Sequence, residues 1–337
     1  MIQNENSAFI EFKGRNVLFI TTKNTDYIRN TQEIEALTDS ANSVFVLGYD
    51  YKSYLKRLIC IFARLMFMPL GSYDAVFVGF APQLILPFFY RRFKGKTVAQ
   101  DFFISLYDTM VSDRKKFRQG SFAGRLMHSI DEKTLKKSDI IIADTRAHVD
   151  FFVNEFGADK NKLRVAYLKA DSSVYFPHKA AKPDEFEGKF TVLYFGSILP
   201  LQGTAVILEC IRLMKDCGKV VFVFIGPVDE TEIENCRDCH VRFTHWLAQN
   251  ELSDRIAASD LCLAGHFNAS IGKASRTIPG KAYIYEAMGK PMILGENSAN
   301  HELFEQDDAS HFFVTMGDAQ KLKEKILFAA RSLGADL

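Results

Sequence analysis

The chain has 337 residues, 47% of them hydrophobic and 25% charged, with a formal net charge of +1. This length exceeds one ordinary core and predicts two soluble domains, and the near-zero charge supplies no field suited to nucleic acid. No run of 18 uncharged apolar residues occurs, so no spanning helix is predicted; the opening MIQNENSAFIEF lacks a basic-then-apolar signal, and six scattered cysteines read as cytoplasmic usage.

In chain order, apolar β-branched runs predict strands at residues 17–20, 44–48, 75–78, 97–100, 140–143 and 163–166. A second set falls at 191–195, 220–225, 241–243, 261–263, 291–294 and 312–314. Helical spacing fills most gaps, as at 122–137, 145–156, 204–216 and 319–331. Continuous apolar strands alternating with helices predict parallel sheets covered on both faces. Residues 171–189, polar and containing Pro177, Pro183 and Gly188, predict a boundary. The expected organisation is a first domain over 1–172, a linker over 173–190, a second domain over 191–318 and a closing helix over 319–337 that could pack back on the first domain. Two doubly wound domains facing each other would bind a ligand in the cleft at the carboxyl ends of their strands.

Two segments need their own reading. Residues 51–96 carry eight Lys and Arg against Asp74 alone, a local charge of +7, and 55–70 and 84–93 are crowded with Leu, Ile, Phe and Met. They read either as a basic, apolar helix pair on an anionic membrane interface or as core helices with basic solvent faces. Cys236-Arg237-Asp238-Cys239-His240 has the spacing of zinc or haem attachment, but no second ligand pair accompanies it, so neither group is expected.

The most informative stretch is 259–304, SDLCLAGHFNASIGKASRTIPGKAYIYEAMGKPMILGENSANHELF. A strand runs into a basic loop, Pro279-Gly280 opens a helix over 281–288 that stops at Gly289, and a buried strand follows. Together they form an anion trap: the helix start offers free N–H groups and partial positive charge, and Lys273, Arg276 and Lys281 add cations. Glu286, just over a turn inside the helix, could accept hydrogen bonds from a sugar diol, so a diphosphate beside a ribose suits the set. A solvated surface loop is the alternative. The patterns G-x-G, GxxxxGK[ST], D-x-D and HExxH are all absent. The protein's own cations, with no metal, are therefore expected to hold the diphosphate.

Several stretches, in order, resemble GT-B glycosyltransferases, specifically retaining enzymes of the large family four. Residues 138–156 (SDIIIADTRAHVDFFVNEF) and 163–177 (LRVAYLKADSSVYFP) resemble the passage between that family's two domains. Residues 191–213 (TVLYFGSILPLQGTAVILECIRL) resemble the strand, loop and helix that open its second domain. Pro279-Gly280-Lys281 through Glu286-Ala287-Met288-Gly289-Lys290-Pro291 resembles its nucleotide-binding helix. The resemblance implies an α/β chain of GT-B fold, with two Rossmann-like domains, the first for an acceptor and the second for a donor. It implies transfer of a sugar from a nucleotide-diphosphate sugar, a UDP-sugar by preference, to an acceptor hydroxyl with retention. No metal or other cofactor is expected, and the setting would be synthesis of cell-surface polysaccharide or glycoconjugate. Expected partners are the donor, a lipid-linked or saccharide acceptor and an anionic membrane surface at 51–96, with no nucleic acid. The expected location is cytoplasmic, peripheral on the inner face of the membrane. Alternatives are a sugar-nucleotide epimerase or hydrolase of GT-B-like fold, or a catalytically silent nucleotide-sugar-binding partner subunit.

The resemblance assigns residues one by one. Gly196, Ser197, Gln202 and Gly203 lie in the loop where the family's diphosphate-holding Arg and Lys usually stand, and Ser197 and Gln202 occupy those places here. Lys273 and Arg276 are the expected compensating cations, catalytic through their hold on the leaving group. Pro279, Gly280, Lys281 and Glu286 complete the expected donor site. Glu286 matches the second of the family's paired glutamates, which the resemblance assigns to the ribose, while the first falls on Ile278. In the first domain Asp101 is the expected residue for orienting the acceptor hydroxyl or accepting its proton, with Gln100 where many relatives carry His. Asp108 and Arg114 follow, as further candidates or as a surface ion pair. His266 and Trp246 read as packing or nucleobase-adjacent residues.

Overall fold

The computed structural model describes residues 8–337, and the Met1–Ser7 part of the opening read above as free of a signal lies outside them. The chain forms two units, divided between Leu168 and Lys169. The first contains β1 (Asn16–Ile20), α1 (Ile28–Ser40), β2 (Ser43–Leu47), α2 (Tyr54–Phe67), β3 (Ala75–Val78), α3 (Leu86–Phe89), β4 (Thr97–Asp101), α4 (Phe122–Lys136), β5 (Ile140–Ala143), α5 (Arg146–Phe156) and β6 (Leu163–Val165). Its strands are all parallel, in the order β2-β1-β3-β4-β5-β6. Alternation along each strand serves two faces: Leu18, Ile20, Val76 and Val78 pack with Ile61 and Leu65 of α2, and Val17, Phe19, Ala75 and Phe77 with Leu37 of α1. The expected pair of basic apolar helices is one helix, α2, capped by Ser53, and a four-residue turn, α3. Pro82 and Pro87 lack the N–H groups that a longer second helix would need.

The second unit contains β7 (Phe190–Phe195), α6 (Thr204–Leu213), β8 (Val220–Ile225), α7 (Glu230–Asn235), β9 (Val241–Thr244), α8 (Gln249–Ala257), β10 (Leu261–Gly265), α9 (Gly280–Ala287), β11 (Met292–Gly295), β12 (His311–Val314) and α10 (Ala319–Ser332). All pairs are parallel, in the order β12-β11-β10-β7-β8-β9. The winding reverses between β7 and β10, which makes their carboxyl ends the place where a doubly wound sheet opens a crevice.

Two organisational expectations are corrected. The closing helix α10, expected to be able to return to the first domain, has Leu322, Ile326, Ala329 and Ala330 buried in the second unit's core with Ile207 and Ile211 of α6. Its apolar stripe covers the sheet it follows. The stretch read as a linker over 173–190 is tied to the second unit as well. Ser253 donates to the Val174 carbonyl at 2.9 Å, Lys182 pairs with Asp260 at 2.5 Å, and Tyr175 and Phe186 are buried.

Candidate functional site

Four adjacent strands of the second unit, β11, β10, β7 and β8, reach their carboxyl ends at Gly295, Gly265, Gly196 and Gly226. These glycines let loops approach closely at the winding reversal. A Cβ at Gly226 would stand 2.4 Å from the Gly196 carbonyl oxygen, and one at Gly265 would stand 2.5 Å from Gln202 Oε1. Gly203 starts α6 with φ 69°, and a Cβ there would meet the Asn268 amide nitrogen at 2.7 Å. Glycine is therefore required at 203 by both conformation and space.

Beneath this row lies Lys281, the second residue of α9 and only 6% exposed. Its Nζ donates to Gln202 Oε1 at 2.6 Å and stands 5.0 Å from the Tyr194 ring centre and 6.0 Å from that of Phe195. Among the described residues no carboxylate pairs with it, and burial lowers its pKa from 10.5 to about 7. Tyr194 is buried too, with its hydroxyl unpartnered among the described residues. Burial pushes that phenol well above its ordinary value.

Most of the remaining donor-site candidates lie on loops that meet at this sheet edge. Phe267 donates its amide to the Gln202 carbonyl at 3.2 Å, Asn268 Nδ2 donates to the Pro200 carbonyl at 2.9 Å, and Leu201 packs with Ile271 and Ala274. These contacts zip the loop after β7 to the loop after β10, and so bring the segment bearing Lys273 and Arg276 to the same sheet edge as Gly196 and Gly203. Arg276 folds over Gly272, where a Cβ would stand 2.9 Å from Nη1. Ser197 is exposed, and its carbonyl accepts from the Leu199 amide. Pro279 supplies no side-chain cap to α9 and Gly280 faces open space, and of the first three amides Ala282 bonds the Pro279 carbonyl at 2.9 Å. Ile278 is buried. His266 is buried with Nδ1 3.0 Å from the Thr277 carbonyl, a packing role, whereas Trp246 is 67% exposed.

Glu286 is corrected. It lies in the last turn of α9, and its Oε2 accepts from His311 Nε2 at 2.8 Å. His311 opens β12 and is paired with Met292, the first residue of β11, so this carboxylate stands at the amino ends of the strands. Helix α9 runs back against the sheet and carries Glu286 away from Lys281, so the ribose role does not fit its position.

Asp101 is corrected as well. It ends β4, is 1% exposed, and both carboxylate oxygens are taken by Arg29, from Nε and Nη2 at 2.9 Å each. Arg29 also donates to the Ala166 carbonyl at 2.8 Å and lies 3.4 Å from Glu33. Burial and the neighbouring Asp101 hold Glu33 well above the ordinary carboxyl range. One guanidinium thus balances one carboxylate and one neutral carboxyl in the core, an arrangement that fixes α1 to β4 and keeps the Asp101 carboxylate buried. Asp108 is buried and Arg114 exposed. Cys236 and Cys239 have their thiols pushed up by burial, and no group of three or more metal-ligating side chains is assembled among the described residues.

Sequence reasoning missed Tyr194, and missed that Gln202 and Lys281 meet. A glycine directly closing each apolar run (YFG, FIG, LAG and ILG) was the available signal for the sheet-edge row.

Residues 189–331 match the model of the glycosyl transferases group 1 family. No curated protein matches the chain. Among solved structures, sucrose-phosphate synthase from Thermosynechococcus elongatus superposes with TM-score 0.68 at 11% identity, over 95% of this chain and 92% of that one. HepE of Anabaena, solved with UDP and glucose, gives 0.60 at 15% identity over 95% and 93%. The lipopolysaccharide outer core galactosyltransferase WaaB gives 0.60 at 12% over 93% and 90%. At such identities the likeness is one of fold. The chain has the GT-B fold, and most of its second unit is similar to the group 1 glycosyltransferase model.

Proposed function

We propose that the protein transfers a sugar from a UDP-sugar to an acceptor hydroxyl with retention, in the synthesis of a surface polysaccharide or glycoconjugate. The bond between the anomeric carbon and the diphosphate oxygen breaks with its electron pair staying on the diphosphate. The acceptor oxygen bonds to that carbon, and its proton passes to the departing diphosphate. The observation that carries this reading is the glycine-lined edge over Lys281, Gln202 and the first turn of α9, inside the segment that matches the family. Lys281, Lys273 and Arg276 are the cations available there, and no metal is invoked. HepE, of the same fold, has been solved with UDP and with UDP-glucose, which supports uridine as the base. Thermal-shift screening of nucleoside diphosphates tests the reading, since a ligand at a hundred times its Kd stabilises by about 2.7 kcal/mol. UDP is expected to raise the second unit's transition most. No shift with any nucleoside diphosphate would remove the donor site.

The acceptor belongs to the first unit in this proposal, and a lipid-linked acceptor is supported by one face of α2. Leu55, Ile59 and Met66 lie on one stripe at helical spacing, exposed with Phe67, which is 80% exposed, and Phe62 on that stripe touches Phe88 with ring centres 5.4 Å apart. Lys52, Lys56, Arg64, Arg91 and Lys94 are exposed around them. Arg57 is buried, while the exposed Arg92 bonds the carbonyls ending α2 and the half-buried Lys96 bonds the Tyr73 carbonyl. An apolar stripe with basic flanks fits an anionic membrane interface. No helix among the described residues is long and apolar enough to cross one. Co-sedimentation with phosphatidylglycerol vesicles should be salt-sensitive and lost in Phe67→Asp/Lys56→Gln. Protein remaining in the supernatant at low salt would point instead to a soluble saccharide acceptor.

A further inference from the structure

A lysine buried without a carboxylate partner is costly, and a methionine of similar length would fill the same space without that cost. Lys281 is such a lysine, and glycines on two sides bring bare backbone up to its nitrogen. A Cβ at Gly196 would stand 3.2 Å from Nζ and 3.6 Å from the Tyr194 hydroxyl, and one at Gly265 would stand 3.3 Å from Nζ. The groups against the ammonium are Gln202 from the loop after β7, the Tyr194 and Phe195 rings from β7, and the backbone at Gly196 and Gly265. Tyr194 is the titratable one, and burial keeps it neutral. The Tyr194 hydroxyl, 1% exposed and without a partner among the described residues, is a second polar group turned toward the same glycine.

We propose that Lys281 is the cation on which the departing diphosphate discharges its charge, with Gln202 holding the ammonium until the anion arrives. This rests on the reading of the unit as a nucleoside-diphosphate-sugar site, and it goes further. The loop after β7 has Ser197 and Gln202 but no cation, and the first turn of α9 supplies the missing one from across the winding reversal. An incoming phosphate oxygen replaces Gln202 Oε1 as acceptor of the ammonium's N–H, and the Tyr194 hydroxyl has an O–H to donate to the same anion. Lys281 touches the leaving group and is in that sense catalytic, while Gln202 positions it.

Its burial makes donor capture proton-linked. The free lysine titrates near pH 7 and a bound diphosphate raises that value, so binding takes up a proton. A terminal phosphate has lost its second proton above about pH 6, so from pH 7 to 9 the change belongs to the lysine. Affinity for UDP should be full below pH 7 and fall up to about tenfold per unit above it. The affinity for uridine, which has no phosphate, should stay flat.

Calorimetric titration of the full chain with UDP and with uridine, from pH 6.5 to 9, is the test. Lys281→Met should bind UDP about ten- to a hundredfold more weakly at pH 7 and lose the pH dependence, with uridine binding unchanged. Gln202→Lys/Lys281→Met, which moves the cation to the loop, should recover most of the UDP affinity. A wild type that binds UDP equally at pH 7 and 9 overturns the role of Lys281 and leaves the donor site standing. So does a Lys281→Met that weakens UDP and uridine alike, since packing alone would do that. A wild type that binds neither compound sinks the donor site itself. The wild-type pH series needs no variant and decides the matter if Lys281→Met fails to fold.

Discussion

Replacing Lys281 by methionine should make the second unit more stable while spoiling its use. Lowering this lysine from 10.5 to about 7 corresponds to about 5 kcal/mol of preference for the neutral form. Near pH 7 the folded lysine is about half protonated, so the cost relative to a neutral side chain is about 4 kcal/mol. Methionine lacks the bond to Gln202, which returns about 1–3 kcal/mol, and leaves a net gain of about 2 kcal/mol. The sign with pH follows from proton counting. Between pH 7 and 10.5 the unfolded chain holds the proton that the folded chain has lost, so wild-type stability rises with pH across that window. The advantage of the variant is therefore largest below pH 7 and fades towards pH 10. Trp246 is the chain's one tryptophan and lies in the second unit, so its fluorescence in urea at pH 6, 7, 8, 9 and 10 reports this unfolding directly. A variant less stable than wild type throughout, or a difference that does not change between pH 6 and 10, would refute the reasoning.

Glu286→Gln should leave UDP affinity unchanged and act only on His311. Glu286 raises the pKa of His311, so the pair's contribution is present below the ordinary histidine value and lost as pH rises through the raised one. With Glu286 largely exposed it is worth at most about 1 kcal/mol, and histidine NMR titration would read it. Gly203→Ala should destabilise the second unit by about 2–4 kcal/mol, from a positive φ and a Cβ driven into the backbone at Phe267 and Asn268; urea unfolding at wild-type stability would contradict the packing described. Arg29→Met should cost the first unit about 3–5 kcal/mol by stranding Asp101 beside Glu33. Asp101→Asn should cost less, because Glu33 can ionise in its place, and an equal or larger loss in paired urea titrations would argue against the shared guanidinium.

The strands were legible because each is an unbroken apolar run, and a sheet covered on both faces needs such runs. Pro279 and Gly289 bracketed α9 within a residue or two. The gathering of loops was legible as a region, and Gly196, Gly203, Lys273, Arg276 and Lys281 come to one sheet edge. What failed was depth along a helix. Glu286 is the seventh residue of α9, about 9 Å from its start at 1.5 Å per residue, which is enough to move a carboxylate from one end of the strands to the other. Asp101 failed for a different reason. Its partner Arg29 lies 72 residues away, and a strand-end aspartate looks the same in sequence whether it faces a cleft or a guanidinium. The Lys281–Gln202 contact spans 79 residues, and only the winding of the sheet brings the two together.

Transfer is measured most directly by following the sugar. UDP-sugars labelled in the sugar are incubated with the protein and a membrane-lipid extract, and label and free UDP are counted together. Label should appear in the acceptor fraction in step with released UDP, with Lys281→Met slowed far more than Glu286→Gln. Label that stays on the nucleotide, or that is released only as free sugar at the same rate with and without the extract, would contradict it.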